Sequence, residues 1–491
     1  MSITVQRSPV RFKPDPMRVI ARFFMPGKID RIIHIVEKVL DMSDETADAT
    51  LNQILRNFTA RHRNITRKFE IHYKEVLSRI SESAIDPQKI PYKKKLLIGS
   101  YFTMEYSIES AAFFNPSIVE DPYQSDLQPG EKRVIISFRA TGEGHISSIV
   151  FRSGIIDNDY NFLFEGRSDL VDQPEFVKRH VYEKAKFTSK LREMQIMHDD
   201  IVEQVMKKLP DRFIYGDLKA RIVECSRKPG LSFTQKKVLE EINWLANAHY
   251  EITFSLDTAI CERVIFPVSY SESNGIEDAR FVRFVDDDQS VTYYATYTAY
   301  DGFTILPKML KTKDFYHFQN MPLNGHGAQN KGLALFPRKI KGKYAILSRV
   351  DGINNYVMFS DRVNYWDEAI KIQEPVYPWE LVQVGNCGSP LETEEGWLVI
   401  THAVGPVRKY SLGAMLLDLD DPTKVIGRLK YPILSPNEEE REGYVPNVVY
   451  SCGSIIHKDQ LIIPYAMSDQ ASSFATLPLR DLLDEIIHNG H

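Results

Sequence analysis

Two carboxylates stand side by side in Asn274-Gly275-Ile276-Glu277-Asp278-Ala279-Arg280-Phe281, after a glycine and before an arginine and a strand-like run, Phe281-Val282-Arg283-Phe284-Val285. A carboxyl group can give or take a proton, and an arginine beside it can hold it in place or bind an anion. Neighbours on a strand point to opposite faces, so one of the pair is expected to do chemistry and the other to turn away and support its loop or a neighbouring unit.

The pair sits in one of five similar units. Asn115-Pro116-Ser117, Asp278-Ala279-Arg280, Phe336-Pro337-Arg338, Gly388-Ser389-Pro390 and Val445-Pro446-Asn447 are each followed by a strand-like run, a polar turn and a second run rich in aromatic and β-branched residues. Those second runs cover 134–138, 291–297, 344–347, 397–400 and 461–465. The last four units recur at intervals of 58, 53 and 56 residues, and the first interval, 163, holds a helical insertion. Five units of short strands predict a mainly β chain folded as a five-bladed β-propeller, with a β-sandwich carrying long hairpins as the alternative.

Helical periodicity flanks and interrupts this β body. From about Pro16 to Ser100, residues such as Ile29, Ile32, Ile33 and Val36 recur at three- and four-residue spacings, and Ser43 precedes Asp44 and Glu45 as a helix start would require. The basic cluster Arg61, Arg63, Arg67 and Lys68 reads as a solvated helical face or a subunit contact. A second helical texture, including Phe176-Val177 and Val181, fills about 170–250, and 479–487 forms a closing helix. The expected organisation is a helical region over 1–100, a catalytic propeller over 101–478 interrupted by the insertion, and a C-terminal helix over 479–491.

With 491 residues, 43% hydrophobic and 26% charged, the chain can bury a large core, and its net charge of −5 speaks against nucleic-acid binding by general electrostatics. Its four cysteines, Cys225, Cys261, Cys387 and Cys452, form no CxxC pair or tight Cys/His spacing, so no metal site is expected. No run approaches the length of a membrane span, Met1–Arg7 lacks an apolar leader, and a cytoplasmic protein is expected.

In a propeller, equivalent positions of successive units meet around one channel. Those positions carry Asn115 and Arg139 in the first unit and Asp278, Arg280, Tyr300 and Asp301 in the second. The third supplies Arg349, the fourth His402 and the fifth Asp469. Carboxylates set among arginine, histidine and tyrosine suit a hydroxyl-rich ligand together with an anion, a description that a sugar and a phosphate meet.

Four runs in order carry a family resemblance: Gly275-Ile276-Glu277-Asp278-Ala279-Arg280, Leu333-Ala334-Leu335-Phe336-Pro337-Arg338-Lys339-Ile340, Gly385-Asn386-Cys387-Gly388-Ser389-Pro390, and Tyr444 through Gly453. Together they resemble glycoside hydrolase family 130, whose members are mostly inverting β-mannoside phosphorylases with a minority of β-1,2-mannosidases. The resemblance implies that Asp278 is the general acid, protonating the glycosidic oxygen through the 3-hydroxyl of the mannosyl unit. It implies sugar contacts by Asn115, Arg139 and Asp469 and an orienting role for Arg280; Tyr300 and Asp301 are expected, from their place in the second unit, to add substrate contacts. Arg349 and His402 match phosphate-binding positions, and Lys331 lies near a third cationic position that is arginine in better-known members. No cofactor is implied beyond inorganic phosphate as co-substrate, and the helical additions resemble those that build homo-oligomer contacts.

Phosphate is already a nucleophile at neutral pH, so a phosphorylase needs cations to position it, whereas a hydrolase needs a second carboxylate to activate water. The cations favour an inverting phosphorylase that forms α-mannose 1-phosphate. The alternatives are a β-mannosidase with Glu143, Glu380 or Glu394 as base, and a carbohydrate-binding propeller without chemistry. The loop over 315–329, with His317 and His326, is expected to choose the acceptor sugar.

Overall fold

The computed structural model describes residues 3–80, 86–166, 168–177, 181–193, 200–247, 250–267, 269–302 and 305–490. The β-branched and aromatic runs form five multi-stranded antiparallel sheets in chain order. Sheet one pairs Ala112–Glu120 with Lys132–Thr141, then Ser147–Ile156 and Val264–Ile265. Sheet two runs Gly275–Val285, Val291–Tyr300, Ile305–Thr312 and His317–Pro322, and continues outward through Tyr250–Thr253 and Glu175–Val177.

Sheet three runs Ala334–Leu335, Tyr344–Ser348, Asn355–Ser360 and Ile370–Gln373; sheet four runs Gln383–Asn386, Trp397–Val404, Tyr410–Leu417 and Val425–Arg428. Sheet five joins the two ends of the chain, because Gln6–Arg7 pairs with Ala471–Pro478 outside Gln460–Met467 and Val449–Tyr450. Middle strands such as Trp397–Val404 are buried along their whole length, as expected for strands covered on both faces.

Each sheet bonds to the next. Phe281 N donates to Ser117 Oγ at 3.1 Å, Val285 N to the Pro337 carbonyl at 2.9 Å, Val384 N to Ile353 at 2.8 Å and Tyr410 N to Asn447 at 3.0 Å. Cys452 N then donates back to the Pro116 carbonyl of sheet one at 2.8 Å. A cavity of about 430 Å³ is lined by strand residues of sheets one and two, among them Ile118 and Phe281, and by residues beside the strands of the other three, among them Pro337, Pro390 and Ser454.

The N-terminal helices Ile29–Leu40, Asp44–Phe58, Ile65–Leu77 and Tyr92–Tyr101 share a core of their own around Ile32, Val36, Leu51, Phe69 and Leu97. Ser43 caps the second, accepting from Thr46 N at 3.2 Å. Gly99 permits the close crossing of the last two, since a Cβ there would lie 1.9 Å from the Phe69 carbonyl oxygen. The insertion places Lys184–Glu193, Asp200–Lys207, Tyr215–Ser226 and Phe233–Asn247 around another core that includes Val205, Phe213, Ile242 and Leu245.

Three stretches read as helical are strands: Val19–Phe23 pairs with Thr103–Ser107, Glu175–Val177 extends sheet two, and Val181–Glu183 pairs with Arg212–Ile214. Each is a short apolar run whose partner lies far along the chain, and periodicity cannot distinguish such a run from a helix turn. Arg18 ties the N-terminal segment down. Its guanidinium pairs with fully buried Glu109 at 2.9 Å and donates to the carbonyls of Ser168 at 2.7 Å and Cys261 at 2.6 Å.

Candidate active site

Two β-bulges build the centre of the site. The ladder between Ala112–Glu120 and Lys132–Thr141 slips between Phe114 and Ser117, and that between Gly275–Val285 and Val291–Tyr300 slips between Glu277 and Arg280. At each slip one residue takes a left-handed backbone, Asn115 with φ 50° and Asp278 with φ 55°. Such conformations cost a non-glycine residue energy and re-aim its side chain out of the strand's alternation. The two side chains meet, Asn115 Nδ2 donating to Asp278 Oδ1 at 2.6 Å. Asp469, at φ 51° beside Ser468 at φ 49°, occupies a similar backbone state in the turn of sheet five.

The bulge overturns the expectation that Glu277 turns away. Arg139 spans both carboxylates, donating from Nη2 to Glu277 Oε1 at 2.8 Å and making a longer contact from Nη1 to Asp278 Oδ1 at 3.5 Å. Lys331 Nζ closes on the other oxygen of Glu277 at 2.5 Å. Strict alternation fails because the left-handed residue returns Asp278 to the side that Glu277 already faces.

Beneath them lies a polar floor. Arg280 donates to the carbonyl and side-chain oxygens of Asn386 at 2.9 and 2.6 Å and to the Tyr450 hydroxyl at 2.7 Å, joining sheets two, four and five. Asn386 Nδ2 donates to the Gly332 carbonyl at 2.6 Å, which brings in the start of sheet three. Burial holds the Cys387 thiol up at about 12 and raises that of Cys452 as well, so both remain protonated packing groups.

Arg349 and His402 form a second centre on this floor. His402 Nδ1 faces the Asn386 carbonyl at 3.1 Å and therefore carries the proton, leaving Nε2 to accept from Arg349 Nη1 at 3.2 Å. Burial, reinforced by the Arg349 and Arg280 charges, holds His402 well below its ordinary pKa, so the imidazole is neutral. Gly385 makes room for the ring, because a Cβ there would stand 2.4 Å from His402 Cε1. Arg349 Nε is buried without a hydrogen-bond partner, as is Arg139 Nε.

The carboxylates are driven apart in acidity. Burial pushes Asp278 up, but Arg139, Lys331 and the Asn115 hydrogen bond outweigh it and hold the carboxyl below the usual range. Asp469 is raised to about 6 by burial and by the charge of Asp278.

A family model described as β-1,4-mannooligosaccharide phosphorylase, glycoside hydrolase family 130, matches residues 248–487. A 1,2-β-oligomannan phosphorylase of Thermoanaerobacter sp. strain X514 is 37% identical over 218 residues, which span 43% of this chain and 71% of that protein. The chain belongs to glycoside hydrolase family 130. A β-1,2-mannobiose phosphorylase of Listeria innocua is 31% identical over 231 residues, 45% of this family 130 chain and 63% of the relative. The solved structure of β-1,2-mannobiose phosphorylase from Listeria innocua with β-1,2-mannobiose aligns at a TM-score of 0.45 and 21% identity, covering 78% of this chain and 93% of that one.

In this family 130 protein, Tyr300 pairs with Gly275 at the start of the Asp278 strand, three residues before the acid, and its hydroxyl donates to the Gly302 carbonyl at 2.8 Å; Asp301 follows it, half-buried. Glu380 is buried in its own turn, accepting from Val376 N at 2.8 Å and Tyr377 N at 3.0 Å, while Glu143 and Glu394 are exposed. His317 lies in the fourth strand of sheet two and faces Thr253 Oγ1 at 3.0 Å, and His326 is exposed, its backbone N donating to Asp367 at 3.2 Å. The segment expected as one acceptor loop thus contains the strand His317–Pro322.

Sequence reasoning gave no role to Asn386 or Tyr450, although both stand in the runs that carry the resemblance. Both follow the same rule as Arg280, a polar side chain in or beside the innermost strand of its sheet, and applying it to sheets four and five would have found them.

Proposed function

We propose that this protein is an inverting phosphorylase that cleaves a β-mannoside with inorganic phosphate to give α-mannose 1-phosphate, and that runs in reverse. The observation that carries the reading is the Arg349 guanidinium. A neutral histidine braces it, its buried Nε has no partner, and none of the salt bridges among the described residues includes it. Such a fork matches two oxygens of a phosphate. The 1,2-β-oligomannan and β-1,2-mannobiose phosphorylases among the relatives support the same reading.

In this reading Asn115, Arg139 and Asp469 hold the mannosyl unit, with Tyr300 and Asp301 lending outer contacts. Asp278 gives its proton through the sugar 3-hydroxyl to the glycosidic oxygen. Phosphate held by Arg349 and Lys331, with His402 bracing the Arg349 guanidinium rather than touching the anion, attacks the anomeric carbon from the opposite face as the carbon–oxygen bond breaks, which inverts the centre. The cations that hold Asp278 ionised in the free protein also attract the phosphate. Its arrival brings negative charge, offsets their pull and raises the proton affinity of Asp278, so nucleophile and proton are recruited together. Phosphate is a co-substrate, and no other cofactor enters this chemistry.

The five sheets are read as blades of a five-bladed β-propeller, which the sheet-to-sheet hydrogen bonds and the shared cavity support. Unpaired Cys225, Cys261, Cys387 and Cys452 support a reducing, cytoplasmic setting, and the helical additions offer surfaces for a homo-oligomer.

The test is incubation of the purified protein with β-1,2- and β-1,4-mannobiose, with and without phosphate. Mannose 1-phosphate is expected only when phosphate is present. Equal release of free mannose in both arms would overturn the reading in favour of hydrolysis.

A further inference from the structure

Glu277 takes no part in the chemistry above, yet it is the most heavily engaged carboxylate of the site. Its Oε1 accepts from Arg139 at 2.8 Å and its Oε2 from Lys331 at 2.5 Å, while its side chain is only 11% exposed. Each oxygen thus occupies one of the cations that also act on Asp278, and Arg139 is left with a single long contact to the acid, at 3.5 Å. The other charged groups around the acid are fixed elsewhere. Arg280 is spent on Asn386 and Tyr450, and Asp469 faces Arg139 and Arg408 from sheet five. Tyr450, Cys387 and Cys452 lie below, and burial keeps all three protonated.

We infer, resting on the phosphorylase reading, that Glu277 is a positioning residue: it keeps Arg139 and Lys331 from pairing with Asp278, so that the acid can take up its proton once phosphate has bound, and it divides Lys331 between itself and phosphate. Removal of its charge would let both cations close on Asp278 and stabilise the ionised, inactive form. It would also release Lys331 toward the phosphate. Loss of Lys331 would do the opposite on both counts.

The experiment is a pH profile of kcat at saturating phosphate and mannoside, with KM for phosphate, for the wild type and for Glu277→Gln, Glu277→Asp and Lys331→Met. Glu277→Gln should move the alkaline limb down by about one pH unit, the effect of one charge lost close to a partly solvated acid. It should lower KM for phosphate about threefold even as kcat falls. Lys331→Met should move the limb up and raise that KM, and Glu277→Asp, which keeps the charge, should restore the wild-type limb. A merely structural glutamate would lower turnover with no movement of the limb, and that result overturns the inference. If Glu277→Gln does not fold, an unmoved or lowered limb in Lys331→Met overturns it instead. If wild-type turnover proves independent of phosphate, the phosphorylase reading falls, while the limb comparison still decides the role of Glu277 on hydrolysis, because Asp278 is the acid in both.

Discussion

Replacing Arg349 with alanine tests the anion centre most directly. Nη1 is committed to His402, so the edge formed by Nε and Nη2 is the one that can meet two phosphate oxygens. A hydrogen bond to a charged partner contributes about 1.5–3 kcal/mol. Two such bonds, reduced because Arg349 is only half-buried, amount to about 3–4 kcal/mol. At about 1.4 kcal/mol per tenfold, kcat/KM for phosphate should fall by roughly 10²–10³. Arg349→Lys keeps a point charge without the planar fork and should recover about a tenth of what alanine loses. The assay is initial-rate phosphorolysis at saturating mannoside with phosphate varied, read as mannose 1-phosphate, alongside thermal melting to verify the fold. A KM for phosphate within about twofold of wild type, in a variant that melts normally, would refute the assignment of this fork to phosphate.

Asp278→Asn removes the proton donor while keeping the Asn115 contact available, and turnover should drop about 10²–10⁴-fold with little change in melting temperature, as measured by product release and calorimetry. Lys308→Met would strand Glu272, fully buried with it and paired at 2.8 Å, among the hydroxyls of Tyr250 and Tyr297; denaturant unfolding should show a loss of about 3–5 kcal/mol. Asp469 has a folded pKa raised to about 6, above its unfolded value, so the stability it contributes is full below about pH 4 and is lost as pH rises through about 6. Asp469→Asn should therefore match wild type in melting temperature near pH 4 and exceed it near pH 8, by about 3 kcal/mol in stability; a gap that does not widen with pH would count against the burial of this carboxylate.

The sequence by itself determined the strands and most helices. The runs over 134–138, 291–297, 344–347, 397–400 and 461–465 all lie inside the second strands of their sheets, because β-branched and aromatic residues between polar turns have little choice of local structure. It also singled out Asn115, Arg139, Asp278, Arg280, Arg349, His402 and Asp469, since they stand at corresponding positions of recurring units. Tertiary structure decided how those residues engage one another. Bulges at Asn115 and Asp278 are imposed by register between paired strands, and no local pattern announces them. They brought Glu277 to the same side as Asp278 and left Lys331 bound to a carboxylate. Closure of sheet five by Gln6–Arg7 was hidden for a related reason, as a two-residue strand gains its identity only from a partner more than four hundred residues away. Local preference is written residue by residue, but register, charge pairing and burial come into being only when distant strands meet.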